Sequence, residues 1–348
     1  MGTVAGQFPA RVRPRLLKGP LTVITFWFSV VVTAWVLYFV LEGFDFGVGI
    51  LGPLLGRDDH ERGAVVTTIG PFWDGNEVWL VAAIGVTFAA FPAWYAALLS
   101  GLYLPVVAVL LLLAVRGVAL EFRGKGDGPR WRRRCDALLA ASSAAVVLLW
   151  GAVLAVFVRG LALGPGGSVT GSGLSRSLSP LVSLSSAFGA VAALFAALLL
   201  GATFLALRTS GPVRHRARDL SRWLGSGGAV ALLIIGFGTG SRTVLAAAAV
   251  SLAAGMLARQ GREALAFATT ALGVAGSVVA VLTSHGSVVL PSTLDASWSL
   301  TRSAAAATPS TLTLLTWFGV IILPGVLAYQ AYSYFVFRRR VASERVPS

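Results

Sequence analysis

Long apolar runs recur along almost the whole chain, and short polar or basic segments separate them. A run of about 20 apolar residues is long enough to cross the hydrocarbon core of a bilayer as a helix. Only 12% of the 348 residues are charged, whereas about 25% are charged in a typical soluble domain. The sequence therefore predicts an all-α integral membrane protein. We place nine transmembrane helices at 21–44, 70–91, 95–120, 136–159, 181–207, 222–239, 242–258, 263–283 and 311–337.

The spans form a single polytopic membrane domain, 21–337, between a basic N-terminal tail, 1–20, and a basic C-terminal tail, 338–348. The first run is longer than the apolar part of a signal peptide and lacks a small-residue cleavage site, which favours an uncleaved helix. Only Gly240 and Ser241 separate the sixth and seventh spans, which indicates a tight helical hairpin or, as the alternative, one kinked helix. We also expect two four-helix groups plus one additional helix, although no sequence repeat demonstrates them.

The basic residues indicate how the chain is oriented. The formal net charge is +14, but the arginines cluster in short segments between apolar runs, which is typical of membrane loops rather than of a nucleic-acid-binding surface. Most of them fall on one face, in 45–69, 121–135, 208–221, 259–262 and the tail after 337. The positive-inside rule then predicts a cytoplasmic C-terminus and an N-terminus outside. The arginines of the N-terminal tail argue for the opposite orientation.

Five of the chain's 14 carboxylates lie within or next to the first three predicted spans: Glu42, Asp45, Asp74, Glu77 and Glu121. A carboxylate near hydrocarbon costs a few kcal/mol, so such groups usually face a partner, a cavity or water. Glu42 and Asp45 are three residues apart, as are Asp74 and Glu77, so each pair shares a helix face. We interpret the acids as one proton-accessible path. The alternative is structural, with Asp45 ending the first helix and Asp74 capping the second.

Three further side chains belong to this predicted site. Arg116 precedes Glu121 by five residues, about 140° around a helix, so a direct pair is not assured. The arginine either extends to the lipid headgroups or holds a carboxylate ionised on another helix. Trp73 and Trp79 flank the acids of the second span and are predicted to be interfacial or packing residues.

The residues that usually hold redox centres are sparse. A lone Cys135 excludes an internal disulfide, and no Cys/His cluster indicates a metal site. His60, His215 and His285 fall in predicted loops or at a span end, whereas a haem protein of this kind needs axial ligands inside its helices. The sequence therefore predicts that this chain binds no haem and no metal by itself.

Several segments, taken together and in order, are similar to one known family. They are LEGFDFGVGIL, GPFWDGNEVWL, RGVALEFR, RWRRRCD, LGATFLALRT and LPSTLDASWSLTRSAAAATPSTLTLLTW, and the similarity runs from about residue 30 to the C-terminus. The chain resembles subunit II of the cytochrome bd-type quinol oxidases. The resemblance implies a terminal quinol:oxygen oxidoreductase that reduces oxygen to water and is electrogenic without pumping protons.

The resemblance also implies the subunits and cofactors of the complex. Two b-type haems and one haem d are held by the partner, subunit I, and subunit II has nine helices, resembles subunit I in fold and forms a heterodimer with it. Menaquinol or ubiquinol is the substrate of the complex. A lodged quinone or lipid, small single-helix accessory subunits and a bacterial cytoplasmic membrane location are further expectations, and no nucleic acid is expected.

By motif, the resemblance makes Asp74 and Glu121 the best candidates for a proton path from the cytoplasm, with Asp45 and Arg116 as supporting members. Phe72 stands where some members carry histidine, so a role of that histidine is not carried over. The other members of the predicted path are Glu42 and Glu77, and the residues that shape it are Trp73, Asn76 and Trp79. Two alternatives stay open: a proton-coupled secondary transporter and a purely structural membrane subunit.

Overall fold

The chain folds into a bundle of long helices, and the structure, a computed structural model, describes residues 20–344. The predicted N-terminal tail lies outside the described residues except for Pro20. The helices are α1 Pro20–Leu55, α2 Asp59–Ile69, α3 Trp73–Ala90, α4 Pro92–Gly101, α5 Tyr103–Phe122, α6 Pro129–Arg159, α7 Gly173–Leu178, α8 Leu184–Arg208, α9 Pro212–Thr239, α10 Arg242–Arg259, α11 Glu263–Leu282, α12 Arg302–Ala305 and α13 Pro309–Val336. Short 3-10 turns occur at Pro165–Gly167, Ser179–Leu181 and Ala296–Trp298.

Four short strands form two small sheets outside the helices. Strand β1, Thr209–Ser210, pairs in parallel with β4, Val341–Ala342. Strand β2, Val288–Leu290, pairs antiparallel with β3, Leu300–Thr301. The first sheet ties the end of α8 to the segment that follows α13, and the second closes the connection between α11 and α12.

Eight helices of the described chain are long and apolar enough to cross a membrane, namely α1, α5, α6, α8, α9, α10, α11 and α13. The predicted all-α membrane protein is therefore confirmed. The predicted span 70–91 corresponds to α3, which has 18 residues. Its first turns carry Asp74, Asn76 and Glu77, and it is not one of the eight.

Helix α1 lies at the centre of the bundle and is much longer than predicted. It has 36 residues, about 54 Å at 1.5 Å per residue, and it continues through the glycine-rich segment where the prediction ended it at residue 44. That boundary was wrong, and so was the alternative in which Asp45 ends the helix, because the glycines here allow neighbouring helices to pack closely against a continuous α1. A Cβ atom on Gly47 would overlap the carbonyl oxygen of Ala197, and Gly201 of α8 faces Gly47 in return.

The predicted third span, 95–120, is divided into α4 and α5 at Leu102. Pro105 lacks the amide hydrogen that would bond to the carbonyl of Gly101, which favours a break here, and it lies in the first turn of α5, where a proline is tolerated. Pro92 occupies the first turn of α4 and separates it from α3 in the same way. The break lets Gly101 approach the side chain of Leu161, which a Cβ there would meet at 2.6 Å.

Two arginine-rich segments are helical rather than loops. Helix α6 begins at Pro129 and α9 at Pro212, whereas the predicted spans begin at 136 and 222. A proline is favourable in the first turn of each helix because its missing amide hydrogen has no partner there anyway. The predicted hairpin between α9 and α10 is confirmed, since Gly240 adopts a left-handed conformation with φ of 66° and ends α9.

Ion pairs join the elements at one end of the bundle, which we call the basic face; it comprises α2, the segment between α5 and α6, the start of α9 and the chain after α13. The Arg123 guanidinium lies 2.6 Å from Asp136 and 3.0 Å from Asp59. Arg132 adds a second contact of 2.7 Å to Asp59. These contacts connect α2, α5 and α6, because a guanidinium can bond several carboxylate oxygens at once.

Glu61 links α2 to α9 in the same way. One of its oxygens accepts a hydrogen bond of 2.6 Å from Arg216, and the other accepts one of 2.6 Å from the Arg57 amide. Burial favours a higher pKa for Glu61, but the two hydrogen bonds outweigh it, so the pKa lies below its ordinary value of 4.5. Arg216 also donates to the carbonyl oxygen of Leu55 at the end of α1.

We expect Glu61→Gln to lower the apparent melting temperature of the assembled protein near neutral pH. A carboxyl whose pKa is lowered by folding stabilises the folded state above its unfolded pKa, and loses that contribution as the pH falls through its folded pKa. The difference from wild type should therefore be full above about pH 5 and shrink as the pH falls through the lowered folded pKa of Glu61. Melting followed by tryptophan fluorescence across this range tests it, with exposed Asp127→Asn as the control. A difference that persists at the lowest pH would contradict this role.

Candidate functional site

A cluster of polar side chains lies inside the bundle, where α1, α3, α5 and α13 approach one another. Glu42 and Asp45 of α1, Asn76 of α3 and Arg116 of α5 are each 0% exposed. Three of the four carry charge or can carry it. Burial of such groups is costly unless they are paired, so their concentration here identifies the best candidate site in the described chain.

An ion pair forms one half of the cluster. Nη1 of Arg116 lies 2.7 Å from Oε1 of Glu42 and 3.7 Å from Oε2 of Glu77. The guanidinium carbon lies 5.0 Å from the centre of the Phe46 ring, a favourable cation–π distance. Arg116 thus pairs with carboxylates on other helices. The first of the two expectations for this residue, that it extends to the lipid headgroups, was wrong. Glu77 is the outermost member, with a side chain that is 28% exposed.

A hydrogen-bonded chain forms the other half. Nδ2 of Asn76 donates to Oδ2 of Asp45 at 2.7 Å. Oδ1 of Asn76 accepts two hydrogen bonds, 3.0 Å from Nε2 of Gln330 and 2.8 Å from the hydroxyl of Tyr334. Two donors on Oδ1 require Nδ2 to point at Asp45, so α13 determines the orientation of the amide. Asn76 is therefore the centre of the network and does more than shape the site.

Aromatic residues enclose this half. The Phe72 and Tyr334 rings are stacked, with centres 4.5 Å apart. Trp73 lies against α5, where a Cβ on Gly117 would be 3.3 Å from its ring. Trp79 is buried in the apolar core of α1, α3 and α6 and contributes packing. It is therefore a packing residue, the second of the two roles expected for the tryptophans, and not an interfacial one.

Asp74 and Glu121, the two strongest candidates of the sequence analysis, are not part of this cluster. Asp74 is exposed in the first turn of α3. The Glu121 side chain is 53% exposed and lies 3.6 Å from Lys125 of the same helix end. Their helical positions explain the separation, because Asp74 precedes Asn76 by two residues and Glu121 follows Arg116 by five, which turns each away from the buried face. A role for either in a proton path stays a prediction.

Gln330 and Tyr334 are the members that the sequence analysis missed. Both lie in the last predicted span, within LAYQAYSYF. An uncharged glutamine in an apolar span is a recognisable signal, because it needs a hydrogen-bond partner in the membrane. Its partner on α3 lies 254 positions away in sequence, and no local pattern identifies such a pair.

The residues that commonly ligate haem iron do not form a buried pair here. His60, His215 and His285 are all exposed, and Met256 is 49% exposed on α10. Within residues 20–344, no three His, Cys, Asp or Glu side chains come together in a way that suits a metal ion. These described donors therefore do not fit a haem held between the chain's own helices.

Comparisons with known proteins agree on one family. Residues 23–337 match the family model of cytochrome bd terminal oxidase subunit II. The cytochrome bd ubiquinol oxidase subunit 2 of Bacillus subtilis (strain 168) is 33% identical over 331 residues, which cover 91% of this chain and 96% of that protein. The cytochrome bd-I ubiquinol oxidase subunit 2 of Escherichia coli (strain K12) is 27% identical over 374 residues, covering 92% and 95%.

The fold has a counterpart among solved structures. The structure of bd oxidase from Geobacillus thermodenitrificans contains a chain that aligns with a TM-score of 0.68 and 17% identity, covering 90% of this chain and 97% of that one. At this identity the match concerns the fold alone.

Proposed function

Because the chain belongs to the cytochrome bd terminal oxidase subunit II family, and so is a subunit of an oxygen-reducing quinol oxidase, we propose that its buried network conducts protons from the cytoplasm toward the haem-bearing subunit. The complex contains subunit I and haem, and this chain is its multi-pass membrane partner in the bacterial membrane. The observation that carries the proposal is the buried series Glu42, Arg116, Asp45 and Asn76.

Unpaired polar atoms in the cluster support a hydrated path. Among the described residues, both oxygens of Glu42, Oδ1 of Asp45 and all three nitrogens of Arg116 lack a partner with hydrogen-bond geometry, although Arg116 and Glu42 are in ionic contact. Buried polar groups are nearly always satisfied by protein or by ordered water. Water with several such partners is well suited to pass protons between carboxylates. Asp45 is the central carrier in this proposal because Asn76 holds one of its oxygens and leaves the other free to bond water.

The exposed acids fit the entrance to the same path. Glu121 lies at the end of α5 that adjoins the basic face, and Asp74 lies in the first turn of α3, next to α2. Glu77, half-buried, follows Asp74 by three residues in α3 and lies 3.7 Å from Arg116 of the buried ion pair. We propose that Asp74 and Glu121 collect protons at this rim and that Glu77 and Asp45 carry them inward.

The basic face supports the proposed orientation. Arginines of α2, α6, α9 and the segment after α13 gather there, and the positive-inside rule assigns such a face to the cytoplasm. This orientation puts the C-terminus in the cytoplasm and, with α3 as the ninth span, the N-terminus outside. The proposed single membrane domain is 21–337, with two four-helix groups, one additional helix and a fold like that of subunit I.

The remaining composition of the complex is proposed from family membership. Two b-type haems and one haem d belong to subunit I, and menaquinol or ubiquinol is oxidised there. Quinol is the electron donor, haem in subunit I would relay the electrons and provide the site for oxygen reduction, and this chain's residues only hold and move protons. Lipids, a lodged quinone and small accessory subunits are further expected partners of the apolar helix surfaces.

A purely structural role is the second candidate, and the buried Arg116–Glu42 pair favours it, because a buried ion pair can specify which helices associate. The two roles differ in one measurable respect. A structural residue determines whether the complex assembles, whereas a proton carrier determines how fast the assembled complex works.

We expect Asp45→Asn to assemble with its full haem spectrum and to reduce oxygen about tenfold more slowly, which corresponds to about 1.4 kcal/mol in the barrier. Asparagine keeps the size and hydrogen-bonding capacity of the side chain but carries no proton. Oxygen consumption with quinol, measured on the co-purified complex with the haem spectrum of the same sample, tests it. Exposed Asp219→Asn on the basic face is the control. Normal turnover with intact haem would remove Asp45 from the path.

A further inference from the structure

The segment after α13 folds back onto the basic face, and we call residues 337–343 the C-terminal clasp. Its backbone continues into strand β4, which aligns Val341 with Thr209 and Ala342 with Ser210. The Ser343 amide donates to the Ser210 carbonyl oxygen at 3.3 Å. The Ser343 hydroxyl donates to the same oxygen and accepts from the Val213 amide at 3.3 Å. The clasp thereby joins α13 to the turn between α8 and α9.

Charged side chains reinforce this junction. Glu263, only 5% exposed at the start of α11, lies 2.7 Å from Arg214 of α9 and 3.3 Å from Arg340 of the clasp. Arg208, the last residue of α8, donates to the carbonyl oxygen of Phe337, the first residue of the clasp. The clasp is therefore bonded to three helices other than α13.

Helix α13 has few other attachments. Leu312 is its one fully buried side chain among those described, and most of its apolar residues are exposed. Near its N-terminal end, Nε1 of Trp27 donates to the Leu312 carbonyl oxygen and to the Thr316 hydroxyl, both at 3.1 Å. Pro324 then interrupts the backbone hydrogen bonds within the helix. The two halves of α13 are thus coupled more weakly at Pro324 than the turns of an uninterrupted helix.

That second half carries the two donors to Asn76. Gln330 and Tyr334 lie between Pro324 and the clasp, and both bond to Oδ1 of Asn76. Arg208 also lies over the Phe72 ring, 5.5 Å from its centre, and that ring stacks on Tyr334. The same arginine therefore contacts the clasp and the aromatic wall of the buried network.

We propose that the C-terminal clasp is a positioning device: it fixes the end of α13 so that Tyr334 and Gln330 orient Asn76 toward Asp45. Arg340, Ser343 and Glu263 are positioning residues, which touch no member of the buried network themselves. The effect on turnover rests on the proposed proton path, whereas the effect on α13 does not. Tyr334 transmits the effect, because its hydroxyl is the closer donor to Asn76.

The test compares Arg340→Ala/Ser343→Ala with Arg339→Ala, which removes the same charge from an exposed neighbour, in the purified complex with its haem content measured. Hydrogen exchange of the backbone amides in 326–337 reports the clasp directly, since exchange follows local opening. We expect exchange about tenfold faster in the double variant and unchanged in the control. Ser343→Ala alone is a milder change and should give a smaller increase in the exchange rate. It replaces the double variant in this test if the double variant does not assemble.

Turnover in a second background separates the two claims. The double variant should lower turnover about threefold in the wild-type chain and cause no further loss in Tyr334→Phe, because residues acting through one contact are not additive. Unchanged hydrogen exchange at 326–337 would overturn the positioning role of the clasp. So would a double variant that lowers turnover in Tyr334→Phe by the same factor as in the wild-type chain. Faster exchange with normal turnover in both the double variant and Asp45→Asn would keep the clasp and overturn the proton path.

Discussion

Arg116→Met should prevent stable assembly of the oxidase. Arg116 is fully buried and is the cationic partner of the buried Glu42 and the half-buried Glu77. Removing it leaves a carboxylate in the interior without its cation, which costs about 3–5 kcal/mol. Methionine has a similar length and keeps the packing, so the loss reports the charge. We expect little purified complex, and a low apparent melting temperature for what is recovered.

A second substitution distinguishes loss of charge from loss of shape. Arg116→Met combined with Glu42→Gln removes both partners, and should recover most of the assembled complex, because replacing a whole buried pair costs far less than breaking it. Arg222→Met, which breaks the exposed pair with Asp219, is the control and should change the yield little. Equal losses in the Arg116 and Arg222 variants would contradict the importance of the buried pair.

Gly47→Val should prevent stable assembly of the oxidase as strongly as Arg116→Met, for a steric reason. Its Cβ would overlap the carbonyl group of Ala197, backbone that cannot move without separating α1 from α8. We expect loss of the assembled complex, measured as haem-containing protein recovered from membranes. Gly52→Ala in the same helix is the control, because a Cβ there would meet Val65 at an ordinary 3.7 Å. Normal recovery of Gly47→Val would show that the two helices are not in close contact.

The sequence predicted the membrane class and most helix positions because both depend on local apolar content. The helix ends were predicted less well, for reasons that are not local. We ended the first helix at residue 44, but α1 continues through Gly47, where α8 approaches it, and through Gly49, where α6 approaches it. The arginines before residue 136 suggested a loop, but a helix that leaves the membrane can continue into water.

The candidate site was predicted in part. Glu42, Asp45, Glu77 and Arg116 were identified from charge in apolar runs, and they do come together. Their partners on α13 were not identified, because Tyr334 reaches Asn76 from a position 258 residues away. Asp74 and Glu121 have the same sequence signal as the buried acids. Only the position of each around its helix separates the exposed acids from the buried ones.

Proton uptake in a single turnover tests the central claim most directly. The fully reduced, co-purified complex is mixed with oxygen, and a pH-sensitive dye follows the protons while the haem absorbance follows the oxygen. Asp45→Asn should bind oxygen at the wild-type rate and take up protons about tenfold more slowly. Uptake at the wild-type rate, in a sample with the same haem content, would contradict a proton path through the buried network.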